Sequence, residues 1–179
     1  MVKRKEIKLT ALQTDIIRML GIKMGTTVNQ RQLALLLSVS EPAIKKALPL
    51  LETLEYITIK KDERLSIALN TNNQYILQLK RADNLKHLYE SGFPDFLEQQ
   101  FAGATIILFG SFSRGEDTVQ SDIDIAIIGR KAKQINLETY EKRFERTINI
   151  NFYESFQNIH KRLKENLANG IVLTGGFEL

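Results

Sequence analysis

Apolar positions in the first half of the chain recur at helical spacing between polar breaks, whereas in the second half they gather into continuous runs of strand length. Leu12, Ile16, Met19 and Leu20 follow the capping-box pair Thr10 and Gln13, and Gly21 and Gly25 close that helix region. Asn29 caps a short second helix carrying Leu33, Leu36 and Leu37. Ser40 caps a third, with Pro42 in its first turn and Ile44, Ala47, Leu48, Leu51 and Leu54 on one face. Pro49 lies inside this helix, where it removes a backbone hydrogen bond and is expected to kink it or end its straight part. Tyr56–Lys60 and Leu65–Leu69 alternate in the manner of strands around Lys61-Asp62-Glu63-Arg64. Residues 72–90 then predict a long helix, apolar at Tyr75, Ile76, Leu79, Leu85 and Leu88.

Two short helices joined tightly, then a hairpin with a charged tip, is the layout of a winged helix. Ser91-Gly92-Phe93-Pro94 is the strongest break in the chain and predicts two domains, 1–91 and 92–179. Beyond it, Thr105–Phe109, Ile123–Ile128 and Ile148–Tyr153 read as strands, and 136–146 and 154–169 as helices. Continuous apolar strands among helices predict a sheet covered on both faces. The expected fold class is α+β in two domains, an N-terminal winged helix and a C-terminal mixed sheet flanked by helices.

Composition narrows the chemistry. With no cysteine, disulfides, thiolate metal sites and a Cys nucleophile are excluded, and the two histidines, His87 and His160, are too far apart in sequence for a local metal motif. No apolar run reaches the roughly 18 residues of a membrane span, and the basic N-terminus lacks the apolar segment of a signal peptide, so a cytoplasmic protein without membrane partners is expected. Residues 1–93 carry 15 Lys and Arg against 9 Asp and Glu, while residues 94–179 carry 10 against 12. The basic half suits a polyanion partner, and it suits a solvated surface equally.

The informative segment runs from Ile106 through Gly110-Ser111-Phe112-Ser113-Arg114-Gly115 to Ser121-Asp122-Ile123-Asp124. A buried strand ends at Gly110, where the missing side chain lets a phosphate approach the backbone. The Ser111 hydroxyl can donate to a phosphate oxygen, and Arg114 adds a guanidinium fork suited to phosphate. Asp122 and Asp124 stand at i and i+2 of a strand, so their carboxylates share a side. At about 6 Å and an effective dielectric near 20, they repel by an order of 3 kcal/mol. A divalent cation such as Mg²⁺ (or Mn²⁺), shared with substrate phosphates, relieves that repulsion.

These residues closely resemble the DNA polymerase β-like nucleotidyltransferase superfamily, whose signature is Gly-Ser, a spacer of about ten residues and Asp-x-Asp. The run from Gly110 to Asp124 looks like its minimal nucleotidyltransferase branch, and the likeness covers roughly residues 94–170. Some members of that branch are antitoxins that adenylylate a partner toxin. The resemblance implies Mg²⁺-dependent transfer of a nucleoside monophosphate from an NTP, with ATP the expected donor, to a hydroxyl that a protein acceptor or toxin partner could carry. Gly110 and Ser111 would hold the triphosphate, Arg114 would stabilise phosphate charge, and Asp122 and Asp124 would carry the metal. The family's third carboxylate is missing. The strand expected to bear it reads Ile148-Asn149-Ile150-Asn151-Phe152, which puts Asn149, or alternatively Asn151, on the site side. An amide brings no charge and cannot serve as a base at neutral pH.

Residues of about 9–70 resemble the winged helix-turn-helix of small MarR-like and ArsR-like regulators. That likeness implies duplex DNA as a partner, with Gln30 and Arg31 opening the second helix, Lys45 and Lys46 on the recognition helix, and Lys60, Lys61 and Arg64 in the wing. The alternative uses of such a unit are homodimerisation and protein contact. The whole chain then reads either as a nucleotidyltransferase or as a DNA-binding regulator whose nucleotide-binding domain is catalytically weak or silent.

Overall fold

The structure, a computed structural model, describes residues 8–61 and 65–176. It is of mixed α+β class, with eight helices and two sheets among the described residues, and it divides into two compact units, up to Ile76 and from Leu77. The packing therefore divides inside the long helix, ahead of the Gly92-Pro94 break.

The first unit begins with α1 (Ala11–Ile22), α2 (Gln30–Leu36) and α3 (Glu41–Thr53). Each start has a chemical cause. Thr10 Oγ1 accepts from the Gln13 amide at 3.2 Å while Gln13 Oε1 accepts from the Thr10 amide at 2.9 Å. Asn29 and Gln32 form a second reciprocal pair, at 2.8 Å each way, and Ser40 caps α3 through the Ala43 amide. Helix α3 does not end at Pro49 but continues to Thr53. Pro49 is exposed, so the Lys45 carbonyl that loses its helical donor faces water. Glu55, at φ +57°, turns the chain into β1 (Ile57–Lys61), one residue later than the alternation suggested. β1 pairs antiparallel with β2 (Leu65–Leu69), and Val28 bridges to Ile67 on the other side of β2. Ile16, Leu33, Ile44, Leu51 and Ile67 are fully buried in this unit. The hairpin tip with Arg64 lies outside the described residues, as does the side chain of Lys61.

Helix α4 (Gln74–Glu90) is followed by α5 (Phe93–Gln100), β3 (Thr105–Phe109), α6 (Gly110–Arg114), β4 (Ile123–Ile128), α7 (Glu138–Phe144), β5 (Ile148–Tyr153), α8 (Lys161–Ala168) and β6 (Ile171–Thr174). The four strands from β3 onward form one mixed sheet in the order β5-β4-β3-β6, with β4 parallel to β5 and antiparallel to β3. Alternate residues supply two cores. Ile106, Leu108, Ile123, Ile125, Ile127 and Ile148 pack on one face with Leu88, Phe93, Leu97, Phe101 and Phe144. Ile107, Phe109, Ala126 and Ile128 pack on the other with Ile159 and Leu167. Both faces are covered at the central strands β3 and β4, which is why β3 reads as a continuous apolar run and β4 as one broken only at Asp124.

Two helices are shorter than their periodicity suggests. The expected helix over 154–169 exists only as α8, because the chain turns to seat Phe156 and Ile159 beneath the sheet and restarts at His160, whose Nδ1 accepts from the Arg162 amide at 3.4 Å. The expected helix over 136–146 is cut to α7. Asn136 Oδ1 takes the Glu138 amide at its start, and Glu145 at φ +54° turns Arg146 inward at its end.

Candidate functional site

Strand register assembles the motif. Phe109 pairs with Asp124, and Asp124 pairs with Asn149, so the end of β3, the start of β4 and the start of β5 meet in one row. Gly110 follows Phe109 at φ +75°, and a Cβ there would stand 2.3 Å from Asp124 Oδ2. The Asp124 carboxylate thus lies directly over the glycine, in space that any side chain would occupy. Glycine is required twice at this position, by its conformation and by its neighbour.

The Asn149 amide Nδ2 donates to Asp122 Oδ2 at 3.0 Å and approaches Asp124 Oδ1 at 3.5 Å. One amide therefore sits between two carboxylates that would otherwise repel each other across open solvent, since Asp122 and Asn149 are exposed and Asp124 is half-buried. Asn151, paired with Ala126 further along β5, makes no such contact. Ser111 lies on the turn after Gly110, and its hydroxyl has no hydrogen-bond partner among the described residues. Arg114 does not join this group. Its Nε donates to Glu116 Oε2 at 2.7 Å, and its head lines a separate cleft with Arg81.

A buried charge cluster, absent from the motif itself, holds the two halves of the motif together. Asp117 is 1% exposed and Lys80 4%, and the two form an ion pair. Asn84 donates to Asp117 Oδ1 at 2.7 Å and to the Phe112 carbonyl at 3.0 Å, tying α6 to the loop after it. Arg146 stands 3.0 Å from Asp117 Oδ2, a charge contact without the alignment of a hydrogen bond, and donates to the carbonyls of Thr118 and Ser121 just before Asp122. Burial holds the Lys80 ammonium below its ordinary pKa, Asp117 pulls it back up, and nearby Arg146 lowers it further. A signal for this cluster existed. Lys80 and Asn84 follow Ile76 at successive helical turns and precede Leu88, so they interrupt an apolar stripe.

A divalent ion fits the donor set of Asp122, Asp124 and Asn149. Two carboxylates converge there, and a half-turn of the amide replaces its NH₂ by an oxygen ligand. Three acidic or imidazole ligands do not gather anywhere among the described residues, so phosphate oxygens would have to complete the coordination. No helix among the described residues is long and apolar enough to cross a membrane.

A search of curated proteins returned no match. Among solved structures, a mutant of ZitR from Lactococcus lactis is similar at 19% identity, over 55% of this chain and 66% of that one, with a TM-score of 0.40. Residues 91–173, which hold Gly110, Asp122, Asp124 and Asn149, match the family model of the nucleotidyltransferase domain.

Proposed function

We propose that the protein transfers a nucleoside monophosphate from a metal-bound NTP, with ATP the expected donor, to a hydroxyl on another molecule, and that it does so slowly. The observation that carries this reading is the meeting of Asp122, Asp124 and Asn149 in one row beside Gly110. A Mg²⁺ or Mn²⁺ ion held by the two aspartates and by phosphate oxygens would supply neutralising charge for the triphosphate. Gly110 leaves the room beside the turn that the Asp124 carboxylate takes up, and Ser111 Oγ is free to donate to a phosphate oxygen. The acceptor oxygen bonds to the α-phosphorus, the bond to the β-phosphate oxygen breaks, and pyrophosphate leaves. The acceptor proton goes to solvent, because Asn149 cannot take it, and a positioned base is typically worth 10²–10⁴-fold in rate. A protein, including a toxin partner, is the proposed bearer of the hydroxyl.

A labelled-NTP transfer assay with Mg²⁺ or Mn²⁺, with cell lysate as acceptor, tests this. Wild type should label an acceptor slowly, Asn149→Asp should accelerate labelling by tenfold or more, and the Asp122→Asn, Asp124→Asn double variant should abolish both labelling and metal-dependent NTP binding. A fast wild-type rate that Asn149→Asp lowers would show the amide to be the working group and would reverse this account.

The amide at 149 also favours a second reading, in which the nucleotide site is silent and the chain is a DNA-binding regulator. Lys45, Lys46, Lys60 and Arg31 are all exposed on the first unit, and Gln30 is half-buried at the start of α2. Used as a winged helix, this unit would set α3 in the major groove, with the hairpin cations against phosphates.

A further inference from the structure

The second compact unit holds a polar cleft that the proposed transfer leaves idle. Its volume is about 370 Å³, and it is lined by Gln78 and Arg81 of α4, Arg114 of α6, Glu116, and Asn166 and Asn169 at the end of α8. Two glycines build it. Gly115 stands at φ +73°, and a Cβ there would lie 2.4 Å from the Leu77 carbonyl oxygen and 2.7 Å from the Arg81 nitrogen. The end of α6 is therefore pressed onto the backbone of α4 at Arg81, which brings the two arginines into one cleft. At Gly170 a Cβ would lie 2.6 Å from the Leu108 carbonyl oxygen, so the turn after α8 is seated on β3 with Asn166 and Asn169 at the rim.

The lining is rich in donors. Arg114 gives only its Nε to Glu116, which leaves both terminal nitrogens, and Arg81 has no acidic partner among the described residues. Two guanidiniums against one carboxylate leave the cleft positive, and three amides add further N–H groups. Planar guanidinium forks match the oxygens of phosphate, and the volume falls within the range of small-molecule sites. We propose that this cleft binds the phosphate group of a small ligand between Arg81 and Arg114, without a metal ion. None of Asp122, Asp124 and Asn149 lines this cleft, and Gln78 and Arg81 precede the residues that match the nucleotidyltransferase domain.

The test is calorimetry on the full chain in EDTA, with inorganic phosphate, AMP and adenosine as probes. Without divalent ions the bare carboxylates of Asp122 and Asp124 repel phosphate, so the transfer site is silent. Phosphate and AMP should bind, and adenosine should not. Arg81→Gln should weaken binding at least tenfold with an unchanged thermal midpoint. Glu116→Gln should tighten it several-fold by releasing Arg114, a gain that misfolding cannot mimic. Asp124→Asn should leave it unaltered. Tighter binding of AMP than of phosphate would identify a nucleotide as the source, and equal binding would identify the bare anion; either outcome supports the cleft. Absence of binding at millimolar probe, adenosine matching AMP, or dependence on Asp124 rather than Arg81 would overturn it. Labelled-NTP transfer that still depended on Asp122 and Asp124 would then leave the transfer reading standing.

Discussion

A methyl group added at Gly110 would fall 2.3 Å from the Asp124 carboxylate, on a backbone at φ +75° that L-residues seldom adopt. Gly110→Ala should therefore cost about 1–3 kcal/mol in backbone strain and displace Asp124 from Asn149. Thermal unfolding together with metal-dependent NTP titration checks this, with binding expected to fall at least tenfold, more than the loss of stability explains. Asp117 makes a different prediction, because its importance is electrostatic. Asp117→Asn keeps the shape but leaves Lys80 and Arg146 buried without a counter-charge, and removing one partner of a buried pair costs about 3–5 kcal/mol. Denaturant unfolding should register a loss of that size, and a loss under 1 kcal/mol would mean that the cluster is hydrated.

Among the elements, α3 is the one that works against its own sequence. Pro49 lies on its exposed face and leaves a helical carbonyl without its donor, so Pro49→Ala should stabilise the first unit by about 1–2 kcal/mol after the looser unfolded chain is taken into account. A lowered thermal midpoint would instead show that the proline fits its site better than alanine does. The elements legible in the sequence are those whose signal is local. β3 and β4 are readable to the residue as apolar runs, β4 broken only at Asp124, and β5 as an alternation of apolar and asparagine positions, while the helix starts at Thr10, Asn29 and Ser40 are readable because capping chemistry is contained within four residues. Elements whose limits are set by distant contacts were not legible. Glu145 ends α7 so that Arg146 can reach Asp117, and nothing near Arg146 in sequence announces an interior arginine. The row of Asp124 and Asn149 followed from strand period, whereas Lys80 and Asp117 were hidden by the ordinary expectation that charges face water.

For the molecule as a whole, the uneven charge makes a prediction that depends on salt. If Lys45, Lys46 and Lys60 meet phosphates, duplex DNA should bind the full chain with an affinity that falls steeply between about 50 and 200 mM salt. Lys45→Ala, Lys46→Ala should then weaken binding on every sequence and flatten that slope. A titration that stays flat at low salt against genomic fragments would leave the first unit to dimerisation or protein contact. The exposed position of Asn149 has a consequence of another kind. Because its side chain buries nothing and its neighbours are held by strand register rather than by the amide, position 149 can change without disturbing either core. Asparagine and aspartate codons differ by a single base, so a lineage carrying this scaffold is one substitution from gaining a third carboxylate and one from discarding it. Selection can therefore set the output of the site without reopening the question of whether the protein folds.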